Sequence, residues 1–381
     1  MTDLFQYAMV QDVDSDAEDD TALVRRVACS YRLGAADFGG HGASFWGSFD
    51  AKHSEFKVAL EQNDHIALRH LLRNPSETEL FWGFDDLAKP FVSDRLEHPE
   101  KCPCAAESIY NSIVQIAIAT AAIRCPYPEQ AQTNSQIPIE ELLAALDTKF
   151  GFRIDFPNPF PFEFGLVTSR GIASYRAVQA LYQAWRVKQI LLHVNGRTVL
   201  EVGAGLGRNA YYAHKFGINF YTIVDIPSTQ LAQGYYLGRI MQNNAVSLFG
   251  EPDSSVRLRT PSWLSSTPED FDVVLNVDSL TEMDRHHALA YVKFARDRSR
   301  AFLSINHEFN PTTMPSLFEE AEVNPVSRSP YWARPGYVEE MFLSPPPYPE
   351  REELRLIKES TSWRITAPLR WAKLRLSGRM A

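Results

Sequence analysis

The sharpest change of texture along the chain lies between Thr198 and Asp225, TVLEVGAGLGRNAYYAHKFGINFYTIVD. A short apolar run, Thr198–Val202, reads as a buried strand. Gly203-Ala204-Gly205-Leu206-Gly207 then form a tight turn, and Arg208 to Phe216 is helix-compatible, with Gly217 as its stop. A second apolar run, Phe220–Val224, closes on Asp225. Strand, glycine turn, helix, strand and acid make the first half of a nucleotide-binding βαβ unit.

The same alternation continues on both sides. Upstream, Ala173–Leu192 carries Tyr175, Tyr182 and Trp185 among apolar residues and predicts a long helix. Downstream come a helix over Ser228–Met241 with Ser228 as candidate N-cap, a strand over Val256–Arg259 and a turn at Pro261–Leu264. The strand Phe271–Asn276 runs into a polar burst, Val277–Met283. A helix, His286–Asp297, and a strand, Ala301–Ile305, follow, ending on Asn306-His307-Glu308. Strands alternating with helices predict a Rossmann-like doubly wound α/β sheet with helices on both faces.

The first 150 residues have another pattern. Ser54–Leu72, Ser108–Arg124 (stopped at Cys125-Pro126) and Ile137–Leu146 show helical spacing, beside an aromatic patch, Phe81-Trp82-Gly83-Phe84, and a solvated acidic run, Gln11–Asp20. Residues 1–150 thus read as a mostly helical cap or dimerisation region. Phe152–Phe162 reads as linker, and 151–381 as the nucleotide domain. Tyr331–Tyr337 and Pro345-Pro346-Pro347 are expected as substrate-facing loops. Glu353–Lys358 and Ser362–Ile365 are expected as last strands, and Leu369–Met380 as a basic, solvated terminal helix.

Composition narrows the partners. A net charge of −9 over 381 residues argues against general nucleic-acid binding. Four scattered cysteines give no disulfide framework, and Cys102-Pro103-Cys104 lacks a second ligand pair at zinc spacing. No stretch has the apolar length of a membrane span, and the N-terminus has no signal-peptide pattern. A cytoplasmic protein acting on a small molecule, with a homodimer allowed by the helical region, is expected.

The glycine turn decides among nucleotides. A dinucleotide fingerprint wants Gly or Ala three after Gly205, where this chain has Arg208. Glu201 precedes the turn, and a carboxylate there repels a pyrophosphate but suits a cation. S-adenosylmethionine (SAM), with its sulfonium and ammonium and no phosphate, fits. Gly203, Ala204, Gly205 and Gly207 would form its floor, with Glu201 on the amino group and Asp225, followed by Ile226, on the ribose. Trp263 is placed to stack on the adenine or to pack in the core, and Asn276 is expected beside the cofactor.

The segment VLEVGAGLG is similar to motif I of the class I SAM-dependent methyltransferases. With YTIVDIP, FDVVLNVDSLTEMD, FLSINHE, RPGYVEEMF and TSRGI…YRAVQALYQAW it resembles a bacterial family of sugar O-methyltransferases, over roughly Gly165–Phe342. The resemblance implies a SAM-dependent methyltransferase with a class I sheet and a saccharide or glycosylated acceptor.

Methyl transfer to a hydroxyl needs alignment and removal of a proton. His307 is the first choice as base, since an imidazole titrates near neutral pH, with Glu308 or Asp278 orienting it; a locally bonded strand-end histidine is the alternative. Asp278 and Glu282, four apart, are expected to bind substrate hydroxyls, cap a helix, or hold a divalent ion together with His307 and Glu308. Arg170, Glu308 and Arg334 are candidate substrate contacts. Other acceptors (phenolic, polyketide or amine) remain as a second reading. An NAD(P)-dependent oxidoreductase, disfavoured by Arg208 and by the lack of a Tyr-x-x-x-Lys pair, is a third.

Overall fold

The computed structural model describes residues 4–11, 19–38, 54–78, 80–83, 85–125, 136–241 and 244–344. Phe84, Pro126, the triple proline from Pro345, the expected strands Glu353–Lys358 and Ser362–Ile365, and the basic tail lie outside them. The described residues up to Phe342 form one compact unit.

Eleven strands occur among the described residues, in two sheets. The first joins β1 (Gln6–Met9), β2 (Phe164–Thr168) and β3 (Gly171–Ser174) in the order 1-2-3, all antiparallel. The second contains β4 (Thr198–Val202), β5 (Phe220–Val224), β6 (Val246–Ser247), β7 (Val256–Arg259), β8 (Phe271–Val277), β9 (Ser299–His307), β10 (Ser327–Pro330) and β11 (Tyr337–Leu343). Its order is 10-11-9-8-4-5-7-6, with β6 through β9 and β4–β5 running parallel. From β4 the chain winds outward through β5 and β7, then returns beside β4 as β8 and winds the other way. Right-handed crossovers taken in opposite directions put helices on opposite faces and leave a crevice at the reversal. The fold is a Rossmann-like, doubly wound α/β sheet with helices on both faces.

The pleat explains which residues meet there. Leu200 and Val202 point into a core with Val274, Phe302, Leu289, Val292, Leu317 and Phe318. Glu201, between them, points to the opposite face, where the helix Arg208–Lys215 lies. That helix packs along the long helix Tyr175–His193, which enters from the small sheet. Ala173 and Ser174, expected inside the long helix, belong to β3; Ser174 instead caps it, accepting the N–H of Ala177 at 3.3 Å. Pro227 occupies the first turn of its helix, Pro227–Ile240, so Ile226 and not Ser228 is the capping position.

The Phe-Pro stretch is no loose tether. Ile154, Phe156 and Phe160 are completely or almost completely buried. The helical region is likewise built onto the sheet. The helix Thr21–Phe38, which the sequence pattern does not single out, lies along Pro227–Ile240. Gly238 permits that approach: a Cβ there would lie 2.5 Å from Leu23. No helix among the described residues is long and apolar enough to cross a membrane.

Candidate active site

The ends of β4 and β5, and the loop after β8, open into one cavity of about 490 Å³. The glycine turn forms part of its wall. Gly203 has φ 70°, and a Cβ on it would fall 2.2 Å from Ser279 Oγ. Ser279 cannot yield, since its hydroxyl donates to the Val202 carbonyl at 3.0 Å and receives an N–H from Asn276. Gly203→Ala therefore combines a left-handed alanine with a collision. We expect a loss of about 1–3 kcal/mol in folding stability, read by urea denaturation, with Gly217→Ala as the control, where φ is 77° but nothing lies within 4 Å.

A fully buried carboxylate, Glu201, and a half-buried one, Asp225, flank the turn. Asp225 accepts the backbone N–H of Ala204 at 3.0 Å and of Ile226 at 2.9 Å, and the Gln233 amide at 2.6 Å. Burial, which outweighs these bonds, pushes its carboxyl up to about 6. Glu201 is completely buried; it accepts Asn209 Nδ2 at 2.7 Å and the Tyr221 hydroxyl at 2.8 Å. Burial raises it to about 7. Both line the cavity, as do Ala204, Gly205 and Ile226. Gly207, at φ 83°, starts the following helix.

The other end of the cavity is acidic. Asp278, the residue after β8, sits at φ 57°, a left-handed conformation uncommon outside glycine. Its Oδ2 accepts Arg334 Nη1 at 2.7 Å and the Tyr337 hydroxyl at 2.6 Å, while Oδ1 has no hydrogen-bond partner. Arg334 also stacks on the Tyr337 ring, 3.8 Å from its centroid. Glu282, in a single 3₁₀ turn, lines the cavity beside Asp278. Burial first, then the Asp278 charge, raises its carboxyl to about 7.

His307 lies behind this pair and is not among the cavity-lining residues. Its Nδ1 accepts the backbone N–H of Phe309 at 3.2 Å. Nε2 faces Asp278 Oδ1 at 3.4 Å and Glu282 Oε1 at 4.0 Å. The neutral ring thus carries its proton on Nε2. Potential ligand atoms of Asp278, Glu282 and His307 all lie within 4.8 Å of one another. A divalent ion there would need Nε2 bare, the opposite of what the Phe309 bond dictates, and Asp278 is already neutralised by Arg334. Glu308, the further ligand considered, is bound to Arg328 through both oxygens at 2.9 Å. This donor set does not fit a metal.

Several expected contacts are elsewhere. Asn276 is fully buried and ties the sheet together, donating to the Val202 carbonyl at 2.9 Å and accepting Asn306 Nδ2 at 2.8 Å. Its alternation along β8 turns it from the cavity. Trp263 packs against the core under the Arg257 guanidinium, 5.4 Å from its ring centroid, and Leu264 takes the cavity wall. Arg170 holds the β2–β3 turn to the helix Ile139–Phe150 through Asp147, at 2.6 and 2.7 Å. Arg334 reaches the site through Asp278 and does not line the cavity.

Polar residues that sequence reasoning missed form another part of the wall. Arg176, Gln179 and Gln183 come from the long helix, and Gly83 and Asp85 from the helical region. Their signal was present: positions 176, 179 and 183 make a polar stripe at helical spacing within an otherwise apolar face. Asp85 also pairs with Arg208 at 3.1 Å, and Arg208 reaches Glu163 at 2.9 Å and the Tyr236 hydroxyl at 3.2 Å.

No family model and no curated protein matches the chain. Solved structures do. The CcbJ methyltransferase from Streptomyces caelestis is 12% identical over 44% of this chain and 89% of its own, with a TM-score of 0.35. The mitomycin 7-O-methyltransferase MmcR is 14% identical over 44% and 55%, with a TM-score of 0.33. The 1,6-didemethyltoxoflavin-N1-methyltransferase of Burkholderia thailandensis, crystallised with its substrate and S-adenosylhomocysteine, is 19% identical over 43% and 78%, at 0.31. The likeness goes no further than the fold.

Proposed function

We propose that the chain is a SAM-dependent methyltransferase acting on a hydroxyl of a sugar or glycosylated metabolite. The observation that carries it is the pair of carboxylates, Glu201 fully buried and Asp225 half-buried, beside a glycine turn. Their raised affinity for protons marks a place where a cation is welcome. Arg208, the cation next to the turn, is locked into Asp85 and Glu163 and so is withheld from a pyrophosphate. When bound, SAM would supply a sulfonium methyl whose C–S bond breaks as the bond to the acceptor oxygen forms, leaving S-adenosylhomocysteine (SAH). Asp225 would hold the ribose hydroxyls and Glu201 the amino end, with Ile226 and Leu264 on the adenine side.

The saccharide part of the reading rests on the resemblance, and the cavity wall agrees with it. Gln179 and Gln183 donate their amide N–H groups to the Ala333 carbonyl at 3.2 Å and the Tyr331 hydroxyl at 3.3 Å. Their amide oxygens, with Asp85, Asp278 and Glu282, then leave a wall rich in acceptors, which suits a ligand offering many O–H donors. The helical region, through Asp85 and Gly83, acts as the acceptor-facing cap. Methyl transfer from labelled SAM to saccharide acceptors, run beside phenolic and amine acceptors, tests this; labelling confined to phenols or amines would overturn the sugar assignment.

A pH dependence follows. A cation placed by Glu201 and Asp225 favours their ionised forms, so SAM binding releases protons below pH 7. Affinity should rise between pH 5 and 7, by at most tenfold per unit for each carboxylate. Calorimetry in two buffers of different ionisation enthalpy reads the protons; SAH, without the sulfonium, should release fewer. Affinity that is flat across this range contradicts the electrostatic assignment.

A further inference from the structure

We propose that Glu282, not His307, is the base that takes the acceptor's hydroxyl proton, and that His307 is a positioning residue that clamps the acidic pair from behind; the inference rests on the methyltransferase reading. Four geometric facts converge. Glu282 and Asp278 line the cavity and His307 does not. The Phe309 N–H fills His307 Nδ1, so the ring presents a proton and not a lone pair toward the site. Asp278 has one oxygen occupied by Arg334 and Tyr337 and the other enclosed, facing His307 Nε2 at 3.4 Å without a hydrogen bond. Glu282 accepts no hydrogen bond from the described residues, which leaves its carboxylate open to a hydroxyl.

The charged groups around Glu282 fit the task. Asp278 opposes its ionisation, Arg334 and Arg176 favour it, and His307 Nε2 stands 4.0 Å from its Oε1. Asp278, held by the Arg334 and Tyr337 donors, is the anchored carboxylate of the pair. As the acceptor oxygen bonds to the methyl carbon, its proton passes to a Glu282 oxygen and later to solvent. Atoms and charge balance without a metal or further co-reactant: a sulfonium and a carboxylate become a neutral thioether and a carboxylic acid.

The first test needs no ligand. Side-chain ¹⁵N spectra of the full chain, with the His307 signal assigned by its loss in His307→Gln, report the tautomer. A protonated Nε2 and bare Nδ1 are expected; a bare Nε2 in the neutral ring would restore His307 as base and overturn the proposal. The second uses a saccharide that accepts the label in the screen above. Glu282→Gln should lower kcat at least 100-fold with SAH affinity unchanged, while His307→Gln lowers it less than 10-fold and shifts the acid limb of the pH profile. The reverse ranking overturns the proposal. Because the tautomer is read on the free protein, its outcome is separate from that of the SAH titration, which tests the methyltransferase reading itself.

Discussion

Arg208→Met is expected to destabilise the protein by about 3–5 kcal/mol, the usual cost of removing one partner from a buried ion pair. The guanidinium is nearly buried between Asp85 and Glu163, whose side chains are each only 3% exposed. Its loss leaves two carboxylates without their counter-charge and removes a cation from over the Tyr236 ring, 5.1 Å from the centroid. Because Asp85 belongs to the helical region and Arg208 opens the helix after the glycine turn, the same change should loosen the cavity wall that both residues line. Urea denaturation measures it. Lys101→Ala, which breaks an exposed pair with Asp94, is the control and should change stability by less than about 1 kcal/mol. A loss below about 1 kcal/mol in Arg208→Met would mean that the triad is not a structural joint.

Asp225→Ala should lower SAH affinity at least 100-fold, about 2.7 kcal/mol by the usual conversion. Two effects add. The ribose loses its acceptor, and the Ala204 N–H and Gln233 amide lose theirs, so the glycine turn is no longer pinned to the end of β5. Asp225→Asn keeps one acceptor oxygen and should fall between alanine and wild type. Calorimetric titration of each variant, with far-UV circular dichroism to confirm folding, gives the ranking. Equal affinities for all three proteins would remove Asp225 from the site.

The strand–turn–helix–strand core was legible because each piece has a local cause. β4 and β5 match the apolar runs residue for residue, and the glycines fall at positive φ, as a turn between them requires. The polar burst after β8 was also legible as a crevice lining, since ligands gather beyond the carboxyl ends of parallel strands at a winding reversal. What local pattern could not convey was partnership. Arg170 and Glu308 look like free charges in the sequence; in the fold, Asp147 and Arg328 hold them. Asn276 and Asp278 are two apart and both polar, yet one knits three strands while the other turns, at a left-handed residue, into the cavity.

The same limit explains His307. Residue type pointed to a base, but the role of an imidazole depends on which nitrogen is bonded, and that bond comes from the Phe309 backbone. Likewise Arg208 marked the wrong spacing for a dinucleotide without disclosing its partners, which are 123 and 45 residues upstream in sequence.

The most direct test of the cofactor assignment is calorimetric titration of the full chain with SAH beside NADH. Micromolar binding of SAH with no heat from NADH is the predicted result. Binding of NADH, or no binding of SAH, would contradict it and reduce the glycine turn to a structural connection between two strands.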